Sequence, residues 1–365
     1  MYQNDERIVL TLDAGGTNFV FSAMQACEHI VEPLRLAAVT DDVERCLRTL
    51  AEGFREISKR LPKAASAISF AFPGPADYES GIIGDAPNFP AFRGGVALGP
   101  YLEAEFGVPV YINNDGHLFA YGEALAGMLP QINAEIKSAG GKRVFRNLIG
   151  ITIGTGFGGG IVIDGCLLRG DNGVGADMYL LRGKDNPQIM AEESVSIRAV
   201  KRFYAEQSGD NTPLEPKDIF DIAEGVRAGN REAAAESFAK VGRAAGDAVG
   251  RAVNLVDGVV VVGGGVAGAA KYIIPAMVEE LRSEVETLSG VKFSCVVPEV
   301  FNLYDDKHRK MFLQERDEMI SVPLIGGEVL YKSHKKIGVG VSTLGTSQAI
   351  ALGAYTFALA QLDKR

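Results

Sequence analysis

The 365-residue chain has no tryptophan, four cysteines, four histidines, and 37 lysines and arginines against 46 aspartates and glutamates. Each shortage excludes something. Cys27, Cys46, Cys166 and Cys295 lie apart without CxxC spacing, so neither a disulfide framework nor a cysteine-held metal site is indicated. His29, His117, His308 and His334 are equally dispersed, whereas structural zinc needs closely placed Cys or His ligands. The formal charge of −9 argues against nucleic acid or an anionic membrane as partner, because neutralising phosphates takes a basic face. No apolar stretch approaches the ~20 residues that span a bilayer. Acidic Asp5 and Glu6 precede the first apolar run, so a cytoplasmic protein is expected.

What the chain has in quantity is glycine, 44 residues, within a composition that is 47% hydrophobic. That is enough apolar material for a large core, and this length suggests two domains. Three glycine-rich turns each follow an apolar strand: Asp13-Ala14-Gly15-Gly16-Thr17-Asn18, Gly154-Thr155-Gly156-Phe157-Gly158-Gly159-Gly160 and Gly263-Gly264-Gly265. Glycine lets backbone N–H groups come close to an anion, as cradling phosphates requires. Any one turn could be purely structural; three together suggest a nucleotide. Gly154–Gly159 and Gly263–Gly268 both satisfy G-x-G-x-x-G, yet neither is a dinucleotide fingerprint. The first runs into a strand instead of a helix, and the next strand expected after the second ends near Glu299, too far on for the acidic residue that the fingerprint places ~20 positions along at a strand's end.

Hydrophobic periodicity predicts an α/β protein whose halves begin alike. Arg7–Asp13 and Asn18–Met24 read as a strand pair, and Leu148–Ile153 with Ile161–Ile163 repeats the plan. Helices are expected over Asp41–Arg60, from about Gly116 to Met128, near Ala191–Gln207, Lys217–Ala228, Arg231–Val256 and Ala269–Leu288, and at Gln348–Leu362. Strands are expected at Ala67–Phe72, Val108–Ile112, Gly258–Val262 and Val291–Pro298. Segments 129–147 and 299–342 fit this rhythm poorly and read as excursions. Asn113-Asn114-Asp115 follows the strand ending at Ile112. A carboxylate there can project into a cleft and accept a hydroxyl proton as the oxygen attacks a γ-phosphate, so Asp115 is the catalytic candidate. Taken alone, Asp115 also reads as a helix N-cap.

The ordered set Asp13–Asn18, Phe72-Pro73-Gly74-Pro75, Asn88-Phe89-Pro90, Asn114-Asp115, Gly154–Gly160, Leu168-Arg169-Gly170 and Val262–Gly265 resembles the ROK family of sugar kinases and regulators, within the actin-like ATPase superfamily. The resemblance implies two actin-like (ribonuclease H-like) domains flanking a nucleotide and sugar cleft. Residues 1–114 with the helix 348–365 would form the smaller domain and 115–347 the larger. Asp13 would orient Mg²⁺ through water; Gly15, Gly16, Thr17, Thr155 and Gly156 would hold phosphates; Gly264 and Gly265 would line the adenosine site. Asp115 becomes the general base, with Gly74, Asn88 and Asn114 as sugar contacts. The implied protein is an ATP- and Mg²⁺-dependent hexose kinase acting on a primary hydroxyl, with glucose or N-acetylglucosamine leading, and a homodimer.

The chain departs from the family pattern after Arg169-Gly170. The family commonly has Gly-Glu-Ile-Gly-His followed by a cysteine-rich zinc loop, whereas this chain reads Ala176-Asp177-Met178-Tyr179-Leu180, with no cysteine over Leu181–Ile197. No zinc is therefore expected. Asp177 would replace the sugar-binding Glu, and Glu192, followed four residues later by Ser196, would be a second contact. The same departure keeps a catalytically silent sugar or nucleotide sensor as the alternative. A DNA-binding repressor is disfavoured, since only Met1–Glu6 precede the first strand.

Overall fold

A computed structural model describes residues 2–15, 17–84 and 89–364. The chain divides into two units: one comprises Met1–Gly127, Gly160–Ala176 and Leu344–Arg365, the other Met128–Gly159 and Asp177–Thr343. Among the described residues no helix is long and apolar enough to cross a membrane.

The first unit is built on a sheet in which Val9–Ala14 pairs antiparallel with Asn18–Gln25 and parallel with Ala67–Ala71, which in turn pairs parallel with Val110–Asn113. The register aligns Asp13, Ala71 and Asn113 in one row at the carboxyl ends of the three parallel strands. Alternation along these strands separates two apolar faces. Leu10, Leu12, Phe19, Phe21, Ile68, Phe70 and Ile112 pack with Leu50 and Phe54 of the helix Val43–Ser58. On the opposite face Val9 and Ala67 meet Leu352, Tyr355 and Leu359 of the closing helix Thr346–Leu362. That helix lies backbone-close to Asp115–Leu125: a Cβ on Gly122 would fall 2.0 Å from the Ala349 carbonyl oxygen, and one on Gly353 would fall 1.9 Å from that of Leu118. Only glycine permits this approach. Asp115–Leu125 therefore belongs with the first unit, and the expected division after residue 114 is displaced beyond the helix.

In the second unit four strands pair in parallel, in the order Leu148–Ile153, Val259–Gly263, Lys336–Val341, Glu299–Asn302, within a six-stranded sheet that continues beyond Leu148–Ile153 through Phe157–Ile163 and Cys166–Leu167, which are antiparallel to each other. Its near-continuous apolar strands are those of a sheet covered on both faces. The helix Arg231–Val256 is started by Asn230, whose side chain accepts the Ala233 N–H. It packs closely on Ala270–Leu281, where a Cβ on Gly242 would meet the Ile273 carbonyl oxygen at 2.4 Å. The strand Phe157–Ile163 begins in this unit and passes into the first at Gly160.

Both expected excursions need correction. Residues 128–138 are the helix Met128–Ser138, which buries Leu129, Ile132 and Ile136 at helical spacing. The span 299–342 is not one insertion, because both its ends are sheet strands: Glu299–Asn302 and the buried Lys336–Val341. Gly338 and Gly340 leave room there for Leu303 and Met128, respectively. Only the part between the two strands departs from the sheet, with the helix Asp306–Leu313 and the exposed hairpin Glu318–Ser321/Glu328–Tyr331. The strand expected at Val291–Pro298 is instead the short Lys292–Ser294, paired with Glu284–Glu286 in an exposed hairpin, and the preceding helix ends at Leu281.

Candidate functional site

In the first unit, the strand ends bring Asp13 to the surface near Asp115. The Asp13 carboxyl is shifted upward, first because surrounding protein displaces water from it and then because of the negative charge of Asp115; Arg35 opposes the shift. Two acids in such mutual reach form a donor set that a hydrated divalent cation would relieve, so Mg²⁺ fits the chemistry. The glycine turn beside Asp13 closes tightly, with the Gly15 N–H donating to the Asn18 carbonyl at 3.0 Å. Gly16 lies outside the described residues, as does Asn88. Thr17 is exposed, and its carbonyl accepts the Ala38 N–H.

The helix carrying Asp115 is capped by its predecessor. Asn114 Oδ1 accepts the Gly116 N–H at 2.8 Å, so Asn114 is the N-cap and Asp115 the first helical residue. Asp115 Oδ1 approaches the same N–H at 2.8 Å, and the residue remains exposed. The reading of Asp115 as the cap is thus corrected: the cap is made by Asn114, which leaves the Asp115 carboxylate at the positive end of the helix and open to solvent. Two residues on, His117 Nε2 lies 2.6 Å from the Gly175 carbonyl, tying the start of this helix to the loop 168–176. Gly175 returns the loop on itself by donating to the Arg169 carbonyl at 2.8 Å. Gly74 lies against Tyr78, where a Cβ would meet the phenol oxygen at 3.0 Å, and that hydroxyl donates to the Phe72 carbonyl.

In the second unit, Thr155 and Gly156 form a turn closed by the Gly154 N–H donating to the Gly156 carbonyl. Glu192 holds this turn: its Oε2 accepts the Phe157 N–H at 3.0 Å, and a Cβ on Gly156 would fall 2.6 Å from the same oxygen. Arg198 completes the clamp by donating to the Thr155 carbonyl at 3.1 Å and to Glu192 Oε1 at 3.2 Å. The helix Ile197–Ser208 is capped by Ser196, and its first N–H donates to the Gly154 carbonyl at 2.8 Å. Gly264, with φ +91, passes so close to the first strand that a Cβ would lie 2.3 Å from the Ile153 carbonyl oxygen; Gly265 beside it faces open space. The Tyr179 phenol pKa is raised first by burial and then by the charges of Asp177 and Glu192.

The segment where the family pattern has its zinc loop is closed here by backbone bonds. Ala191 donates to the Leu181 carbonyl at 2.7 Å, Gly183 donates to that of Ile189 at 2.8 Å, and Arg182 bridges Met190. Among the described residues no group of three or more His, Cys, Asp or Glu has a metal-holding arrangement. Sequence reasoning missed His117, Tyr179 and Arg198. Each acts through a contact distant in sequence or through a neighbour's charge, and no spacing rule marks them.

The sequence model of the ROK family matches residues 9–301. The crystal structure of a glucokinase from Parabacteroides distasonis is 52% identical, with 99% of each chain covered and a TM-score of 0.90. A glucokinase from Thermotoga maritima is 27% identical over 75% of this chain and 86% of its own length. An N-acetyl-D-glucosamine kinase from Vibrio vulnificus is 27% identical over 61% of this chain and 72% of its own.

Proposed function

Since the chain belongs to the ROK family, we propose that it is an ATP- and Mg²⁺-dependent hexose kinase transferring the γ-phosphate to a primary sugar hydroxyl, with glucose the leading acceptor and N-acetylglucosamine the second. The observation that carries this reading is the pair Asp13 and Asp115. One carboxylate is exposed at the start of a helix, and its charge is felt by the other at the end of a neighbouring strand.

In the proposed step Asp115 accepts the hydroxyl proton while the sugar oxygen bonds to the γ-phosphorus. The bond from that phosphorus to the β,γ-bridging oxygen breaks, and ADP leaves. Asn114 holds the base in place by capping its helix, and with Gly74, Asn88 and Asp177 it is assigned to the sugar. Gly15, Gly16, Thr17, Thr155 and Gly156 are assigned to the phosphates, and Gly264 and Gly265 to adenosine. Mg²⁺ when bound supplies charge neutralisation on the phosphates, held through water by Asp13.

Asp115→Asn tests the assignment, because it removes the basic oxygen and leaves the Asn114 cap intact. Turnover should fall by roughly 10²–10⁴ with the melting temperature and ATP binding retained. Near-wild-type turnover would remove Asp115 from the mechanism.

A further inference from the structure

Glu192 was assigned to the sugar from the family pattern, yet in the structure its two carboxylate oxygens serve the phosphate turn. Oε2 accepts from Phe157 N–H at 3.0 Å and Oε1 from Arg198 at 3.2 Å. Arg198 in turn reaches the Thr155 carbonyl at 3.1 Å and Glu193 Oε1 at 3.1 Å. One carboxylate and one guanidinium therefore fix the turn from both sides: the N–H that follows Gly156 and the carbonyl that precedes it. An ionised carboxylate offers about four acceptor sites, so sugar hydroxyls can be added to Glu192 while these bonds are kept. The charges of Glu192 and of Asp177, the other proposed sugar contact in this unit, both act on Tyr179.

The geometry points to Glu192 as the group through which sugar and nucleotide affinities are coupled, with Arg198 as the positioning residue that transmits the coupling to the phosphate turn. This inference rests on the kinase reading above. Sugar hydroxyls donating to Glu192 would lock the carboxylate in the orientation that already holds the Phe157 N–H, so the turn is preformed when the phosphates arrive. Linkage requires the nucleotide to tighten sugar binding by the same factor. Without Arg198, Glu192 still serves the sugar and the Phe157 N–H, but the Thr155 carbonyl is left unheld and the turn is fixed from one side only, so most of the coupling is lost.

Calorimetric titration with glucose, with and without a non-hydrolysable ATP analogue, tests this in wild type, Arg198→Gln and Arg198→Lys. In wild type the analogue should tighten glucose binding by roughly fivefold or more. In Arg198→Gln that factor should fall below about twofold, with glucose affinity in the absence of nucleotide little changed; Arg198→Lys, which keeps the charge but not the fork, should restore part of it. A merely structural Arg198 would lower the melting temperature without changing the factor. An Arg198→Gln or Arg198→Lys protein that retains the full wild-type factor overturns the role of Arg198, and a wild-type protein that binds glucose equally with and without the analogue overturns the coupling; both leave the kinase reading standing. A wild-type protein that binds neither glucose nor N-acetylglucosamine overturns that reading and this inference with it.

Discussion

Replacing Gly264 by alanine perturbs the proposed adenosine turn through a single methyl group. The residue sits at φ +91 and ψ 168, a region open in practice to glycine alone. Forcing alanine into such a backbone costs about 1–3 kcal/mol. The methyl would also lie 2.3 Å from the Ile153 carbonyl oxygen and 2.5 Å from its nitrogen. Relieving this overlap requires the end of Leu148–Ile153 to move, at a cost of about 1–3 kcal/mol for an overpacked site. Together these give about 2–6 kcal/mol, a fall of roughly 3–8 °C in melting temperature at about 2.1 cal/mol/K of unfolding entropy per residue over a chain of this size. Because Ile153 directly precedes Gly154, the displacement enters the Thr155-Gly156 turn, so KM for ATP should rise more than KM for the sugar. Gly265→Ala is the control, since a Cβ there meets nothing within 4 Å. Thermal unfolding of both variants with steady-state kinetics decides the matter. A Gly264→Ala protein melting within 1 °C of Gly265→Ala would refute the claim that this turn is held by close backbone approach.

Two further outcomes are expected. Ala176 stands at φ +67 where the family pattern has glycine, a left-handed conformation that costs a side chain about 1–2 kcal/mol; Ala176→Gly should raise stability by up to about 1 kcal/mol in denaturant titration, and a loss of similar size would contradict the strain. Buried Lys336 donates to the Phe312 and Gln314 carbonyls, and its pKa is pushed down to about 8, chiefly by desolvation and then by Arg143. Between about 8 and the ordinary 10.5 the unfolded chain holds a proton that the folded chain has lost, so stability should rise with pH across that window, by at most about 3 kcal/mol. The rise should vanish in Lys336→Met, and an unchanged rise in that variant would assign it to other groups.

Much of the fold was legible because the first strands carry clear alternation and the long helix carries its own cap. Leu148–Ile153 and Arg231–Val256 are found at their expected bounds. The helix Met128–Ser138 was obscured by Pro130 and the following Gly140-Gly141, although Leu129, Ile132 and Ile136 had the right spacing. Lys336–Val341 was hidden for a different reason. It is buried from Lys336 to Gly340, its alternate glycines make room for Leu303 and Met128, and it begins with a buried lysine, so it shows neither polar alternation nor an apolar run. The site divides similarly. The glycines and Asp115 of the proposed site are suggested by type and order, whereas the clamp of Glu192 and Arg198 on the Thr155 turn exists only once segments some 40 residues apart are folded together.

Phosphoryl transfer to a hexose is tested by ADP release from the wild-type protein with ATP and Mg²⁺ across a panel of glucose, N-acetylglucosamine, mannose, N-acetylmannosamine and fructose. Sugar-dependent ADP release, strongest with glucose, and a product phosphorylated on the primary hydroxyl are expected. Sugar binding without ADP release above the background of ATP alone would contradict phosphoryl transfer and leave a silent sensor in its place.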